Sequence, residues 1–322
     1  MKKNIILKEM VPYLMLAPAL IIILIFKIYP IISVILESFF RNGSPSLRTY
    51  EILFGDRNFW GALGTTVKMN LVMIPLQIMI SLCLALLVNS TIKGIGIFRS
   101  IYYLPVTMAI SVASISWNLM ANYNSGVFNS ISTFLGLGKQ GFFTDVKQAL
   151  WCIVMMATWK GCGYWMMYIL AGLKGVDTSI YESAKLDGAG FFTTLFHITL
   201  PLIKRTLLFV FVANTSANML LFAPMKLITE GGPQNSTNVL MYEVYKSAFR
   251  NGNASRAGAL TTILLLIVLA VVVIQFRLLN EWEEKGNEGD KNTFGKSSFI
   301  CGFDRHCFHC YFSSALYYFS FI

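Results

Sequence analysis

Charge is what this chain has least of. Asp, Glu, Lys and Arg make up 13% of its 322 residues, where a soluble domain carries roughly a quarter. With a mean hydropathy of +0.60, that deficit excludes an ordinary soluble protein and points to an integral membrane protein. Acidic residues are missing altogether from the long apolar stretches. Proton- and sodium-coupled carriers usually hold a carboxylate or a similar relay inside the membrane, so energy for transport has to come from elsewhere. The phosphate-cradling pattern GxxxxGK[ST] is also absent, which leaves nucleotide hydrolysis of that kind to another polypeptide. Cysteine and histidine are few, six and three. Cys83, Cys152 and Cys162 lie within apolar stretches and read as small packed hydrophobes, so no disulfide framework follows. No paired acids or nucleophile–base set stands out in the membrane part, and a membrane enzyme is the least supported class.

What is present is apolar length. A spanning helix needs about 20 apolar residues, and six stretches qualify, at about 12–36, 66–88, 101–121, 150–172, 204–226 and 258–279. Backbone groups in lipid must be satisfied within their own segment, so these are helices. The expected organisation is an all-α membrane protein: a short N-terminus at 1–11, a six-helix region at 12–280 and a polar tail at 281–322. Lys2, Lys3 and Lys8 precede the first span and the next basic residue beyond it is Arg41, which favours a cytoplasmic N-terminus in a multi-pass protein of a bacterial inner membrane. Six spans then put the loop at 173–203 in the cytoplasm. The formal charge of +10 is spread singly over span ends and makes no nucleic-acid face. Ala17-Pro18-Ala19 mimics a cleavage site, but the apolar run continues past it, so the first span is retained. Pro18 and Pro30 are expected to kink it, with Lys27 snorkelling. Residues 38–65, 122–147 and 227–257 are expected outside as loops. The last of these carries Thr229-Glu230-Gly231-Gly232-Pro233 and an amphipathic stretch, VLMYEVYKSAF.

The most informative segment is short and polar. Residues 181–201 read YESAKLDGAGFFTTLFHITLP between two apolar stretches. Ser179 and Glu182 have capping-box spacing at a helix start. Asp187-Gly188-Ala189-Gly190 breaks that helix, with Gly188 suited to a left-handed C-terminal cap. A second short helix runs to Ile198, and Pro201 stands at the threshold of the next span.

This loop resembles the "EAA…G…I-LP" loop in membrane subunits of binding-protein-dependent ABC importers, above all sugar permeases of the maltose, multiple-sugar and glycerol-phosphate type. PYLMLAPAL, PLQIMISLCLALLVN, FRSIYYLP, AGLKGVDTSIYESAKLDGAG, TEGGP and QFRLLN look like that family's segments in the same order, over roughly 10–280. Two departures occur: Ser183 stands where Ala is usual, and Lys174-Gly175-Val176-Asp177 replaces a more typical Gln-x-Ile-Pro. The resemblance implies an importer permease fold whose coupling loop, 176–201, seats in a cleft of a separate ATPase subunit. Glu182, Ala184, Asp187, Gly188, Ile198 and Pro201 are then the coupling residues. It implies a second permease subunit, an ATPase dimer, an external solute-binding protein and a carbohydrate substrate. No cofactor or metal of the chain's own is implied, since ATP is used by the partner. The alternative from another class is a self-sufficient, gradient-driven carrier or channel.

Polar residues within the spans are Asn70, Gln77, Asn118, Lys160, Asn214, Ser216, Asn218 and Gln275. Such residues often join helices in a bundle. The sharper expectation is that Asn118, Asn214 and Asn218, with Trp159 or Tyr164, line a sugar path. Asn214 and Asn218 share a helix face at i, i+4 spacing, amides both donate to and accept from hydroxyls, and aromatic rings stack on sugar rings.

The tail breaks composition. Cys301, His306, Cys307, His309 and Cys310 fall within 299–322. Zinc is one reading, but the paired knuckles of usual zinc sites are missing. The favoured reading is an aberrant segment not selected for folding.

Overall fold

The computed structural model describes residues 15–41, 44–90 and 93–290, with side chains to residue 277. The N-terminal lysines and the 299–322 cysteine–histidine cluster lie outside the described residues. Among the described residues, helices are joined by turns and short loops, and the only strands form a two-residue antiparallel ribbon, Phe40–Arg41 against Ser44–Pro45.

Helix α1, Met15–Ser38, carries a π-helical turn at Leu24–Ile28. Pro30 follows that turn. Its ring lacks an N–H and crowds the preceding carbonyls, so the ladder widens there. Helix α2 is Arg48–Phe54 and α3 is Arg57–Val88. The Asp56 carboxylate caps α3, accepting the Asn58 N–H at 2.8 Å. This early cap starts the helix at Arg57, whereas the sequence placed residues before 66 in a loop. At 1.5 Å per residue its 32 residues rise roughly 48 Å, more than the hydrocarbon core needs.

The third expected span is two helices, α4 (Ile95–Thr107) and α5 (Ile110–Met120), bent by 95°. Met108 and Ala109 are extended, with ψ of 140° and 138°, and that breaks the run. After α6 (Val127–Phe134) comes α7, Ala149–Lys174. The loop helices are α8 (Thr178–Leu186) and α9 (Phe191–Leu202). Helix α9 meets α10, Lys204–Met219, at a 71° bend. Helix α11 is Leu240–Tyr245 and α12 is Ala254–Asp290. Among the described residues, three helical segments, α1, α3 and Ala254–Arg277, are long and apolar enough to cross a membrane, and counting each bent pair as one span gives five. Helix α7 supplies the remaining stretch of suitable length, with 26 residues interrupted by Lys160 and by Gly161, Gly163 and Gly172.

The segment 227–257, expected as an outer loop, packs back into the fold over part of its length. Every residue from Thr237 to Val244 is buried. The Thr66 hydroxyl on α3 accepts the Leu240 N–H at 2.8 Å, so the start of α11 is anchored by a side chain from far away in sequence.

The chain divides into two compact units. One comprises the residues through Gly55 with Val244–Ile267. Within it α1 and α12 approach closely at Gly258, where a Cβ would lie 2.9 Å from the Val34 carbonyl oxygen. The Ser38 and Tyr50 hydroxyls are 2.7 Å apart. The other unit comprises Asp56–Glu243 with Val268–Gly289. Its interior joins α3, α7 and α10 through Ala85, Met166, Ile169, Leu173, Ile203 and Val210. Gly163 allows α7 to meet α4, since a Cβ there would sit 2.2 Å from the Tyr102 carbonyl oxygen. The Arg99 guanidinium donates to the Val88 carbonyl at 2.7 and 3.2 Å, placing a cation at the C-terminal end of α3.

Candidate functional site

The polar loop is held by two caps. At the start of α8 the cap is Asp177, whose carboxylate accepts the Ser179 N–H at 3.0 Å. The Ser179–Glu182 capping box is therefore not formed: Ser179 is the second residue of the helix, and Glu182 is exposed. Val-Asp-Thr-Ser offers three cap candidates, and the first has the extended backbone a cap requires, φ −63° and ψ 132°. Hydrogen bonds from the Ser179 backbone, and then from its hydroxyl, hold the Asp177 carboxyl below its ordinary pKa.

At the far end the chain turns through Gly188, φ +78°. The Ala189 N–H donates to the Ala184 carbonyl at 2.9 Å and the Gly188 N–H to the Lys185 carbonyl at 3.1 Å. This pair is the Schellman closure, and its left-handed position favours glycine. A Cβ on Gly188 would meet nothing within 4 Å, so the constraint is backbone conformation, not space.

Ala184 is buried, Ile198 half-buried, and Asp187 and Pro201 exposed. Beyond Pro201, Ile203 belongs to the same interior cluster as Ile169 and Leu173 of α7 and Val210 of α10. The end of the loop is thus packed against both flanking helices. Its outward side is apolar: Leu186 is 89% exposed and Phe192 71%, with Phe191 and Phe196 also exposed.

The candidate path residues fall into groups. Asn214 is 0% exposed and Asn218 is buried beside it. The Asn218 amide nitrogen donates to Asn214 Oδ1 at 2.6 Å and to Gln77 Oε1 at 2.8 Å. Gln77 in turn donates to the Ala157 carbonyl at 3.1 Å. In this conformation the amides join α10, α3 and α7. Gln77 is the member not expected on the sugar path; with Asn70 it is one of two amides in an acid-free span.

Trp159 is exposed on α7, with its ring centroid 5.7 Å from that of Trp117. Trp117 continues to Phe128 at 5.3 Å, and Phe128 to Phe142 at 6.0 Å. Asn118, next to Trp117 on α5, is exposed. Tyr164 is exposed and shares a hydroxyl contact of 3.1 Å with Tyr168. Lys160 donates to the Val106 carbonyl at 3.3 Å, a cation at the broken C-terminal end of α4. Among the described residues no cluster of three or more His, Cys, Asp or Glu is arranged to hold a metal ion.

Comparison with known proteins agrees with this architecture. Residues 4–282 match the family described as binding-protein-dependent transport system inner membrane component. A probable ABC transporter permease protein of Pyrococcus horikoshii is 34% identical over 288 residues, covering 86% of this chain and 97% of that protein. The trehalose/maltose transport system permease protein MalF of Thermococcus litoralis is 28% identical, covering 83% of this chain and 92% of that protein. Among solved structures, a chain of the bacterial alginate ABC transporter, in complex with alginate pentasaccharide-bound periplasmic protein, aligns with a TM-score of 0.76 at 22% identity. That alignment covers 84% of this chain and 94% of the other, and at that identity it establishes a shared fold.

Proposed function

The chain belongs to the binding-protein-dependent transport system inner membrane component family, and from that premise we propose that it is the permease subunit of an ATP-driven ABC importer for a sugar or related carbohydrate. The observation that carries the reading is the loop at 176–201: a doubly capped helix with exposed apolar side chains, tied to α7 and α10 through Ile203. A separate ATPase subunit receives α8. Closure of the ATPase dimer on ATP moves the loop, and Glu182, Ala184, Asp187, Gly188, Ile198 and Pro201 transmit that motion to the flanking helices. A second permease subunit completes the pathway, and an external binding protein delivers the substrate. The carbohydrate class is supported by the relative named for trehalose and maltose.

Six spans, with α7 as the fourth and each bent pair counted once, put the N-terminus and the loop on the cytoplasmic side. Asn118, Trp159 and Tyr164 line the sugar path with exposed side chains. Asn214 and Asn218 join it when α10 moves away from α3 during the cycle.

The loop reading is tested by cross-linking. A Glu182→Cys variant in the assembled transporter should form a cross-link to the ATPase subunit with a short bifunctional thiol reagent, and ATP should change its yield. A cysteine at this site that reaches no ATPase subunit in any nucleotide state contradicts the assignment.

A further inference from the structure

A groove runs along α3 toward the start of α7, well away in sequence from the coupling loop and the amide joint. It has two overlapping lobes of about 540 and 610 Å³. Trp60, Gly64, Lys68 and Trp151 line both. The first lobe continues over apolar Val67, Leu71 and Val72, and the second over Lys147 and Ser236.

Three features of the groove bear on what fills it. First, Gly61 and Gly64 lie one turn apart on α3, and a Cβ on either would meet nothing within 4 Å. Small residues in membrane helices usually let a second helix approach. At Gly163 and Gly172 they do so here, with neighbouring atoms 2.2 and 2.6 Å from the built Cβ. At Gly61 and Gly64 the chain supplies no such neighbour. Second, Lys68 stands eleven residues along α3 from Arg57, roughly 16 Å at 1.5 Å per residue. Its ammonium lies over the Trp151 ring, 5.3 Å from the centroid. Lys147 lines the neighbouring lobe, and no Asp or Glu lines either. Asp145 is close in sequence, but its Oδ1 already accepts the N–H groups of Lys147 and Gln148 at 2.7 and 3.1 Å. Third, the Ser236 hydroxyl is buried without a hydrogen-bond partner.

We propose that this groove is a binding site for an anionic phospholipid. Lys68, Lys147 and the Ser236 hydroxyl receive the phosphate and polar headgroup, and one acyl chain runs over Gly64 and down Val67, Leu71 and Val72. The chemistry is graded in the right sense. Lysines and tryptophans are interfacial residues, Lys68 reaches along its stem toward the polar end, and the apolar lobe extends deeper along the same helix. The bilayer interface offers phosphates at the level where lysines and tryptophans sit.

The test uses the assembled transporter, purified through a tag on this chain into nanodiscs of equal phosphatidylglycerol and phosphatidylcholine. Lipids retained on release are then counted by native mass spectrometry. Wild type should retain phosphatidylglycerol over phosphatidylcholine by about thirtyfold, the scale that two lysines near an anionic headgroup provide. The Lys68→Gln/Lys147→Gln variant should lose that preference, and Lys93→Gln/Lys139→Gln, with the same change of charge, should keep it. Gly64→Leu fills the open space beside Lys68 and leaves both charges in place, and should displace the lipid while the transporter stays assembled. Equal retention in wild type and the first double variant overturns the proposal. So does retention unaffected by Gly64→Leu. Displacement of the lipid by millimolar inorganic phosphate would show a soluble-anion site instead. A Gly64→Cys residue that cross-links to the second permease subunit in the wild-type lipid background would show that protein fills the groove, and would likewise overturn it.

Discussion

The Asn218 amide on α10 donates to Gln77 Oε1 on α3 at 2.8 Å, joining helices that lie far apart in the chain. With the Gln77 bond to the Ala157 carbonyl, this contact makes one polar joint among three helices. In lipid, such bonds contribute about 0.6–2 kcal/mol each. Asn218→Leu and Gln77→Leu should each lower the Tm of the purified transporter. Their double-mutant cycle should return a coupling energy of that size, read by thermal unfolding in detergent. Strict additivity would mean that the bond is idle.

Gly188 is held at φ +78° by the Schellman closure. A left-handed conformation costs an ordinary L-residue about 1–2 kcal/mol, and a β-branched residue tolerates it worst. Gly188→Val should insert normally and abolish substrate uptake, while Gly188→Asn should retain most of it. Uptake assays on membranes with equal amounts of each variant distinguish the two. Normal uptake by the valine variant would remove the loop from the coupling pathway.

The Asp177 cap gives a pH dependence of defined sign. Its folded-state pKa lies below the ordinary value, because the Ser179 N–H and hydroxyl bind the charged form. The stabilisation is therefore complete above the unfolded pKa and is lost as pH falls through the folded one. Hydrogen exchange at the Ser179 amide should accelerate in that acidic window. Asp177→Asn keeps a cap but should flatten the dependence.

Two glycines make opposite predictions for one substitution. Ala is favoured over Gly in helices by about 1 kcal/mol, so Gly61→Ala, with open space around it, should be neutral or stabilising. Gly163→Ala would press its Cβ to 2.2 Å from the Tyr102 carbonyl oxygen. Overpacking of this kind costs about 1–3 kcal/mol and should outweigh propensity. Comparing the two Tm values checks the close approach of α7 and α4.

Much of this was legible in the residues, and the rest failed for physical reasons. Apolar runs located α1, α3, α7, α10 and α12, because lipid demands length and forbids charge. The glycine at 188 declared a left-handed turn, and the turn is there. Local cues were weaker where candidates competed. Asp177, Thr178 and Ser179 are all good caps, and only the backbone angle decides among them. The break at Met108–Ala109 has no glycine and no proline at the hinge itself, so composition reads α4 and α5 as one span. Burial of Thr237–Val244 depends on contacts such as Thr66 to Leu240, whose partners are remote in sequence and invisible to periodicity. The same remoteness hid the partnership of Gln77 with Asn218.

The central claim is that this chain moves a sugar only when a separate ATPase drives its cytoplasmic loop. The most direct measurement is uptake of radiolabelled maltose and trehalose, with a wider sugar panel, into proteoliposomes. These hold the complex co-purified with this chain and its binding protein. Uptake should require ATP on the loop side and binding protein on the other, and should vanish in Gly188→Val. Uptake by the chain alone, driven by an ion gradient and indifferent to ATP, would contradict the account.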